Sequence, residues 1–397
     1  MNFINATTYS YAKEIIKEII NDGIITVSPL YRATGMRLAE DVKFSADLPS
    51  FDRSVVDGYA VRSRDTFGAT ESVPAMLNFV GAAVMGQPTS MCINAGEAYK
   101  ISTGAMLPNG ADAVVMFENT DTLGNLICIQ KSVSLGENIT FKGDDGKIGN
   151  TAIPKGTLIT PYVVAVAAAT GLSAVTVFKP LKFAVISTGD ELITDASSIS
   201  EGKIYDANGT LLSSLAVAAG HSVVGITTVK DDLTALSNTI ETALTDADIV
   251  LISGGSSVGA KDFTETAMEK YGLRIRGVAI KPGKPTLAAM ANGKPIFGLP
   301  GHPAAAAIVF KALILKAIDE KRGGFVAKKT AIAGINFPSS PGKTTFQPVA
   351  FRSGEAFPVL GKSGLLSSFF KADALAVLPD NAEGVYKGQT IEITDLL

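Results

Sequence analysis

An apolar run, Ile249-Val250-Leu251-Ile252, stops abruptly in Ser253-Gly254-Gly255-Ser256-Ser257-Val258-Gly259, with Lys261 and Asp262 just beyond. A strand ending in a glycine-rich turn before a helix offers backbone N–H groups to an anion, because no Cβ blocks close approach. Asp262 is placed to hold a cation against that anion, so phosphate chemistry is the first expectation. Other strand ends repeat the theme: Phe183 to Ser187 leads into Thr188-Gly189-Asp190-Glu191, and Val229 into Lys230-Asp231-Asp232. Carboxylates converge on an anion mainly when a divalent cation lies between them, since like charges repel. Taken singly, Asp190, Asp231 and Asp262 read equally well as helix caps, a task aspartate does well. Their repetition along one rim of a sheet favours function.

Further candidates follow strands. Lys281-Pro282-Gly283-Lys284-Pro285 holds two lysines on a loop stiffened by prolines, which suits an oxyanion but also an ordinary solvated turn. Gly298-Leu299-Pro300-Gly301-His302-Pro303 opens an alanine-rich helix whose first N–H groups can meet an anion. His302 has the chemistry of a general acid or base, although by itself a hydrogen-bonded structural histidine is the simpler reading. Phe51-Asp52-Arg53-Ser54-Val55-Val56-Asp57-Gly58-Tyr59-Ala60 and Lys142-Gly143-Asp144-Asp145-Gly146 put acids in turns that, alone, read as surface loops. The ligand spacing of an EF-hand is absent from the second.

The elements that must position these loops are legible in the hydrophobic pattern. Tyr9 to Asn21 carries isoleucines at helical spacing. Residues 42–142 alternate short β-prone runs with turn signals, as in a β-rich domain. Val163 to Thr170 reads as a helix stopped at Gly171, followed by a strand at Ala174 to Phe178. From residue 181 the rhythm is strand–helix–strand. Strands are expected at Phe183–Ser187, Val223–Val229, Ile249–Ile252, near Arg276–Ile280 and at Ile296–Leu299. Helices are expected at Asn208–Ala219, Leu233–Leu244, Phe263–Tyr271 and Ala304–Asp319. This alternation predicts a three-layer α/β domain around a mainly parallel sheet, with ligands outside the carboxyl ends of its strands. Beyond Gly323-Gly324 the chain reads as a β-domain.

Bulk composition narrows the function classes. A chain of 397 residues suggests about two to four domains. With 46% hydrophobic and 18% charged residues it can bury a large core. A net charge of −3 without a Lys/Arg-dense block gives little support to nonspecific nucleic-acid or anionic-membrane binding. Only Cys92 and Cys128, and only His221 and His302, are present, which excludes the usual zinc ligand sets and argues against a disulfide framework. No basic segment followed by an apolar one opens the chain, and the run from Gly156 to Phe178 is broken by Pro161 and Gly171. A cytoplasmic protein that contacts neither nucleic acid nor membrane is expected.

The motifs FDRSVVDGYAV, STGA at 102–105, GADAVV at 110–115, KGDDG, STGDEL, GKIYDAN, SGGSSVG with Asp262, AIKPGKP and GLPGHP occur in that order. The series resembles the MoeA-type molybdopterin molybdotransferase family, related to the C-terminal domain of gephyrin, and it spans essentially the whole chain. The resemblance implies a multidomain α/β plus β fold. Residues 1–45 and 143–178 would form a helical linker and dimerisation domain, and 46–142 an inserted β-rich domain. Residues 179–325 would form the molybdopterin-binding α/β domain, and 326–397 a C-terminal β-domain. It further implies a homodimer whose site lies between the α/β domain of one subunit and the β-rich domain of its partner. There molybdate would enter adenylylated molybdopterin with Mg2+, releasing AMP, with a molybdopterin adenylyltransferase as possible substrate donor. The family's acids fall on Asp57, Asp145, Glu191, Asp231 and Asp262; the first four would hold metal. Substrate contacts would come from Thr103, Thr188, Gly189, Ser253, Gly254, Gly255, Ser257, Lys281, Lys284, Pro300, Gly301 and His302.

The chain departs from the family in places. His302 stands where members usually have Asn, and Ala305 where Ser is common. Lys343-Thr344-Thr345-Phe346-Gln347-Pro348 lacks the second cation of an Arg–x–x–Phe–x–Arg pattern, for which Arg352 is the nearby candidate replacement. These changes leave molybdate against tungstate, or a variant pterin, open. A non-catalytic partner-binding scaffold is the alternative of another class; clustered carboxylates that repel one another argue against it.

Overall fold

The computed structural model describes residues 6–21, 23–195, 200–254, 263–324, 328–359 and 367–396, the side chains of 367 and 368 excepted. Its contacts divide the chain into two units: 1–40, 155–160 and 176–397 form one, and 41–154 with 161–175 the other.

The first unit is built on a six-stranded sheet in the order Ser222–Val229, Lys182–Thr188, Ile249–Gly254, Lys294–Leu299, Leu287–Ala291, Ile275–Arg276. The first four strands are parallel and the last two are added antiparallel. Strand residues alternate between two cores, as period-2 geometry requires. Phe183, Val185, Ile249 and Leu251 face the helices Ala207–Ala218 and the helical run from Pro303 to Lys321. Ala184, Ile186, Val250 and Ile252 face Leu233–Asp246 and Phe263–Glu269. Burial on both faces is why these strands read as unbroken apolar runs. The expected three layers and mainly parallel sheet are present.

Sheet membership differs from expectation near Arg276. The pattern there reads as one strand, Arg276–Ile280, of the α/β sheet. The structure splits it: Ile275–Arg276 stays at the antiparallel edge, while Val278–Lys281 crosses to a second sheet, paired with Thr7–Thr8 and Thr344–Arg352. Gly277 lies between them at φ +84°, a left-handed turn that re-aims the chain. That second sheet has seven strands, the others being Glu355–Pro358, Lys329–Ala333, Thr390–Asp395 and Ala374–Leu378. The C-terminal β-region thus draws strands from two earlier parts of the chain.

The N-terminal helix, Tyr9–Ile19, is capped by Thr8, which accepts from the Tyr11 N–H. It buries Ala12, Ile16 and Ile19 against Phe310, Leu313 and Ile314 of the run after Pro303. That run carries a π-helical stretch, Phe310–Leu315. The Tyr9 hydroxyl donates to the Ala312 carbonyl within it at 2.7 Å, satisfying a group in a stretch whose hydrogen-bond register is locally widened.

The second unit holds a six-stranded sheet in the order Ala113–Met116, Gly58–Val61, Glu97–Ile101, Ala75–Ala82, Leu126–Ile129, Thr120–Leu123. Tyr59, Val61, Val115 and Ile127 pack on one face, and Ala60, Tyr99, Ile101 and Val114 on the other. The helix Pro161–Ala169 belongs to this unit. Among the described residues no helix is long and apolar enough to cross a membrane.

Candidate functional site

The carboxyl ends of the four parallel strands, where open α/β sheets bind ligands, carry most of the expected residues of the first unit. Thr188, buried at the end of its strand, donates from Oγ1 to Asp231 Oδ1 at 2.8 Å. The Asp231 N–H reaches Asp190 Oδ1 at 3.3 Å. Glu191 is exposed, with its carboxylate folded back over Gly189: a Cβ there would lie 2.7 Å from Glu191 Oε2. Asp231 is not a cap. The helix Leu233–Asp246 is capped by its neighbour Asp232, which accepts from Ala235 N–H, so the Asp231 carboxylate is left for the rim.

On the next strand, Ser253 is buried and Gly254 takes φ +115°. A Cβ on Gly254 would sit 2.0 Å from the Thr188 carbonyl oxygen, so only glycine fits. A Cβ on Gly301 would lie 3.6 Å from the Gly254 Cα, so the turn after Leu299 touches the end of the strand Ile249–Gly254. Pro300 is buried, and the exposed His302 is the N-cap residue of the helix beginning at Pro303, with no side-chain cap bond. Gly255, Ser257 and Asp262 lie outside the described residues.

The KPGKP loop leaves the seven-stranded sheet. A Cβ on Gly283 would come within 2.5 Å of Val309 Cγ2, so the loop packs on the helix that follows His302. Lys281 is exposed and donates from Nζ to Ser340 Oγ at 3.0 Å. Lys284 is half-buried and its carbonyl accepts from the Val278 N–H at 3.0 Å.

The second unit gathers its own motifs by hydrogen bonds. Asp57 Oδ1 accepts from the Thr103 N–H at 2.8 Å, and the Gly104 N–H donates to the Ser54 carbonyl at 2.7 Å. Arg53–Ser54 pairs with Ile139–Thr140, and Lys142 N–H donates to Asp52 Oδ1 at 2.8 Å. The Asp145 N–H donates to the Leu48 carbonyl at 2.9 Å. FDRSVVDGYA, STGA and KGDDG therefore form one continuous patch. Asp145 is exposed, and its carboxylate takes no hydrogen bond from the described residues.

Hard oxygen donors of this kind suit Mg2+, which keeps several waters and takes one or two carboxylates plus substrate phosphates. The Asp231 carboxylate spends Oδ1 on Thr188, which leaves Oδ2 for such a role. Among the described residues no three of His, Cys, Asp and Glu converge as a ready-made metal centre.

Sequence reasoning missed the groups beneath the rim. Asn208, buried at the start of its helix, donates from Nδ2 to Ser253 Oγ at 2.7 Å and to the Gly301 carbonyl at 2.8 Å. Asp206 caps that helix through the Gly209 N–H at 2.9 Å and accepts from Thr228 Oγ1 at 3.1 Å. Buried Ser187 Oγ and Asn208 Oδ1 lack a partner among the described residues; each such orphan costs about 1–3 kcal/mol. The signal was present in GKIYDAN, where Asp and Asn two apart open a helix.

A three-layer α/β domain with a strand-end rim of acids, joined to two β-rich regions, is the class these features define. Three family models cover the chain. Residues 7–171 match the MoeA N-terminal region (domain I and II), 184–320 a "probable molybdopterin binding domain", and 330–396 the MoeA C-terminal region (domain IV). A protein of Methanocaldococcus jannaschii is 37% identical over 366 residues, covering 89% of this chain and 88% of its own. The molybdopterin molybdenumtransferase of Staphylococcus aureus is 33% identical over 395 residues, covering 96% and 94%. The crystal structure of a molybdopterin biosynthesis MoeA protein from Pyrococcus horikoshii superimposes with a TM-score of 0.82 at 32% identity, covering 98% of this chain and all (100%) of that one. The chain belongs to the MoeA family.

Proposed function

We propose that this protein is a molybdopterin molybdenumtransferase of molybdenum cofactor biosynthesis, inserting molybdate into adenylylated molybdopterin and releasing AMP. The observation that carries the reading is the strand-end rim, where acids (Glu191, Asp231) stand beside the glycine strand end at Gly254 and the Pro300-Gly301 turn that touches it. Phosphate oxygens would accept from backbone N–H groups of those two segments, and Lys281 and Lys284 would offset the charge of two anions brought together. At ~4 Å an opposite-charge contact near a protein surface is worth a few kcal/mol, enough to bias binding of a second anion. Thr188, Gly189, Ser253, Gly254, Pro300, Gly301 and His302, with Thr103 of the partner subunit, complete the substrate contacts in this reading.

Glu191 and Asp231, with Asp57 of the partner subunit and Asp145 of the partner subunit, would hold Mg2+, which supplies charge neutralisation on the phosphoanhydride when bound. Thr188, by donating to Asp231, holds that carboxylate in one orientation. Water balances: one is released when two thiol sulfurs replace an oxygen of molybdate, their protons leaving with it, and one is consumed in breaking the phosphoanhydride. The working form is a homodimer in the cytoplasm, as the resemblance implies, with the four-part domain division expected from sequence.

The test is AMP release by the purified chain given adenylylated molybdopterin, Mg2+ and molybdate. Molybdate-dependent AMP formation is expected, with loss of activity in chelator and sedimentation as a dimer. No AMP with either molybdate or tungstate would sink the enzymatic reading; AMP with tungstate alone would reassign the oxyanion.

A further inference from the structure

We propose that Asn208 is a positioning residue: its carboxamide sets the spacing between the Ser253-Gly254 strand end and the Pro300-Gly301 turn, so that both address one phosphate-bearing ligand. This rests on the reading of the rim as a phosphate-binding edge. The amide nitrogen makes both bonds at once, to Ser253 Oγ at 2.7 Å and to the Gly301 carbonyl at 2.8 Å. A carbonyl only accepts, so the nitrogen must face Gly301, which fixes the orientation of the amide. The two hydrogens of an amide nitrogen lie in one plane at a fixed angle. The two segments therefore cannot slide apart without breaking one bond.

The network extends past the amide. Ser253 Oγ donates onward to the Pro300 carbonyl at 3.3 Å, so the strand end is tied to the Pro300-Gly301 turn twice. The anchor is itself immobilised: Asp206 caps the helix and also accepts from Thr228, one strand further out. Ser187, Thr228 and Ser253 are in register on three neighbouring strands, giving a row of hydroxyls under the rim. Stability alone does not account for an amide at this position. It leaves buried Oδ1 unpaired among the described residues, whereas Leu212 and Ala216, further along the same helix, are apolar. What it supplies is the cross-link between two segments that belong to different parts of the chain.

The experiment uses the full chain and inorganic pyrophosphate as the probe, with affinity read by calorimetry and folding by thermal melting. Asn208→Leu, which keeps bulk but no hydrogen bond, should weaken pyrophosphate binding about 10- to 100-fold. In turnover it should raise KM by a similar factor, with kcat changed less than about threefold. Asn208→Asp should be equally weak at pH 8 and regain affinity relative to the parent as pH falls through the carboxyl range. Its protonated carboxyl then offers one donor again. Ser213→Ala is the control: Ser213 Oγ, on the same helix, is also buried without a partner among the described residues, and its loss should leave affinity unchanged. Folded Asn208 variants that bind as tightly as the parent would overturn the inference while leaving the functional reading intact. Equal loss in Ser213→Ala would also overturn it, by showing a general helix effect. If Asn208→Leu does not fold, absence of recovery at low pH in Asn208→Asp decides against it. A parent chain that ignores pyrophosphate overturns both this and the phosphate reading of the rim.

Discussion

His221 gives the chain a stability that depends on pH in a narrow, predictable window. Its ring packs against Phe183 with centroids 5.4 Å apart, and Nδ1 accepts from the Leu181 N–H at 3.4 Å. Burial, reinforced by the positive charges of Arg322 and Arg37, pushes its pKa down from 6.5 to about 3. The sign follows from which state binds the proton. Below pH 6.5 the unfolded chain protonates this imidazole and the folded one does not, so stability is lost as pH falls, until about pH 3. Each unit is worth about 1.36 kcal/mol, so descending from pH 7.5 to pH 5 removes about 2 kcal/mol. The only other histidine is His302, which is exposed, and carboxylates with ordinary values titrate mostly below that window. Urea unfolding followed by circular dichroism at four pH values should show this loss in the parent. His221→Gln, which keeps an acceptor but does not titrate, should be nearly flat between the same limits. A parent curve that is flat from pH 7.5 to 5, or a variant with the parent's slope, would refute the account of a neutral buried imidazole.

Two further outcomes are expected. Asp231→Asn should reduce AMP release by about 100-fold, in line with loss of a carboxylate that would hold the ion neutralising the phosphoanhydride, while the melting temperature stays within a few degrees; a large drop in melting would mark the residue as structural instead. Lys311 lies in the π-helical stretch, with Nζ buried and no partner among the described residues. Burial lowers its pKa to about 8, partly opposed by Asp395 and deepened by Lys329. The folded state therefore resists the proton that the unfolded chain takes up below pH 10.5, and the full penalty is present below pH 8. Lys311→Met should raise the melting temperature by a few degrees at pH 7, and the gain should shrink above pH 8; no gain would show the amine to be solvated.

Much of the α/β domain was legible because its signals are local. Strands buried on both faces read as apolar runs, and Gly220 and Gly171 follow helices where the pattern stops them. The misplacement of Val278–Lys281 has the opposite origin. Val-Ala-Ile is equally at home in either sheet, and only pairing with Thr7–Thr8 and Thr344–Thr345, far away along the chain, decides between them. The π-helical stretch was equally invisible, since nothing in Phe-Lys-Ala-Leu-Ile-Leu departs from an ordinary apolar helix.

The candidate site divides along the same line. Glycines at strand ends announce themselves because the conformation they need is written in the residue: Gly254 at φ +115° is an example. Acids are ambiguous until the first helical residue is known. With Leu233 starting its helix, Asp232 becomes the cap and Asp231 is released to Thr188, a distinction of one position between two identical side chains. Asn208 is the extreme case. It sits where a helix begins, so its local reading is complete without any further role, yet its partners are 45 and 93 residues away. A polar side chain at a helix start therefore has two possible tasks, capping its own backbone or tying down remote loops. In this fold the two are separated by assigning the cap first. Asp206 takes the helix N–H, which leaves the Asn208 amide free to bond outward, and outward lies the rim.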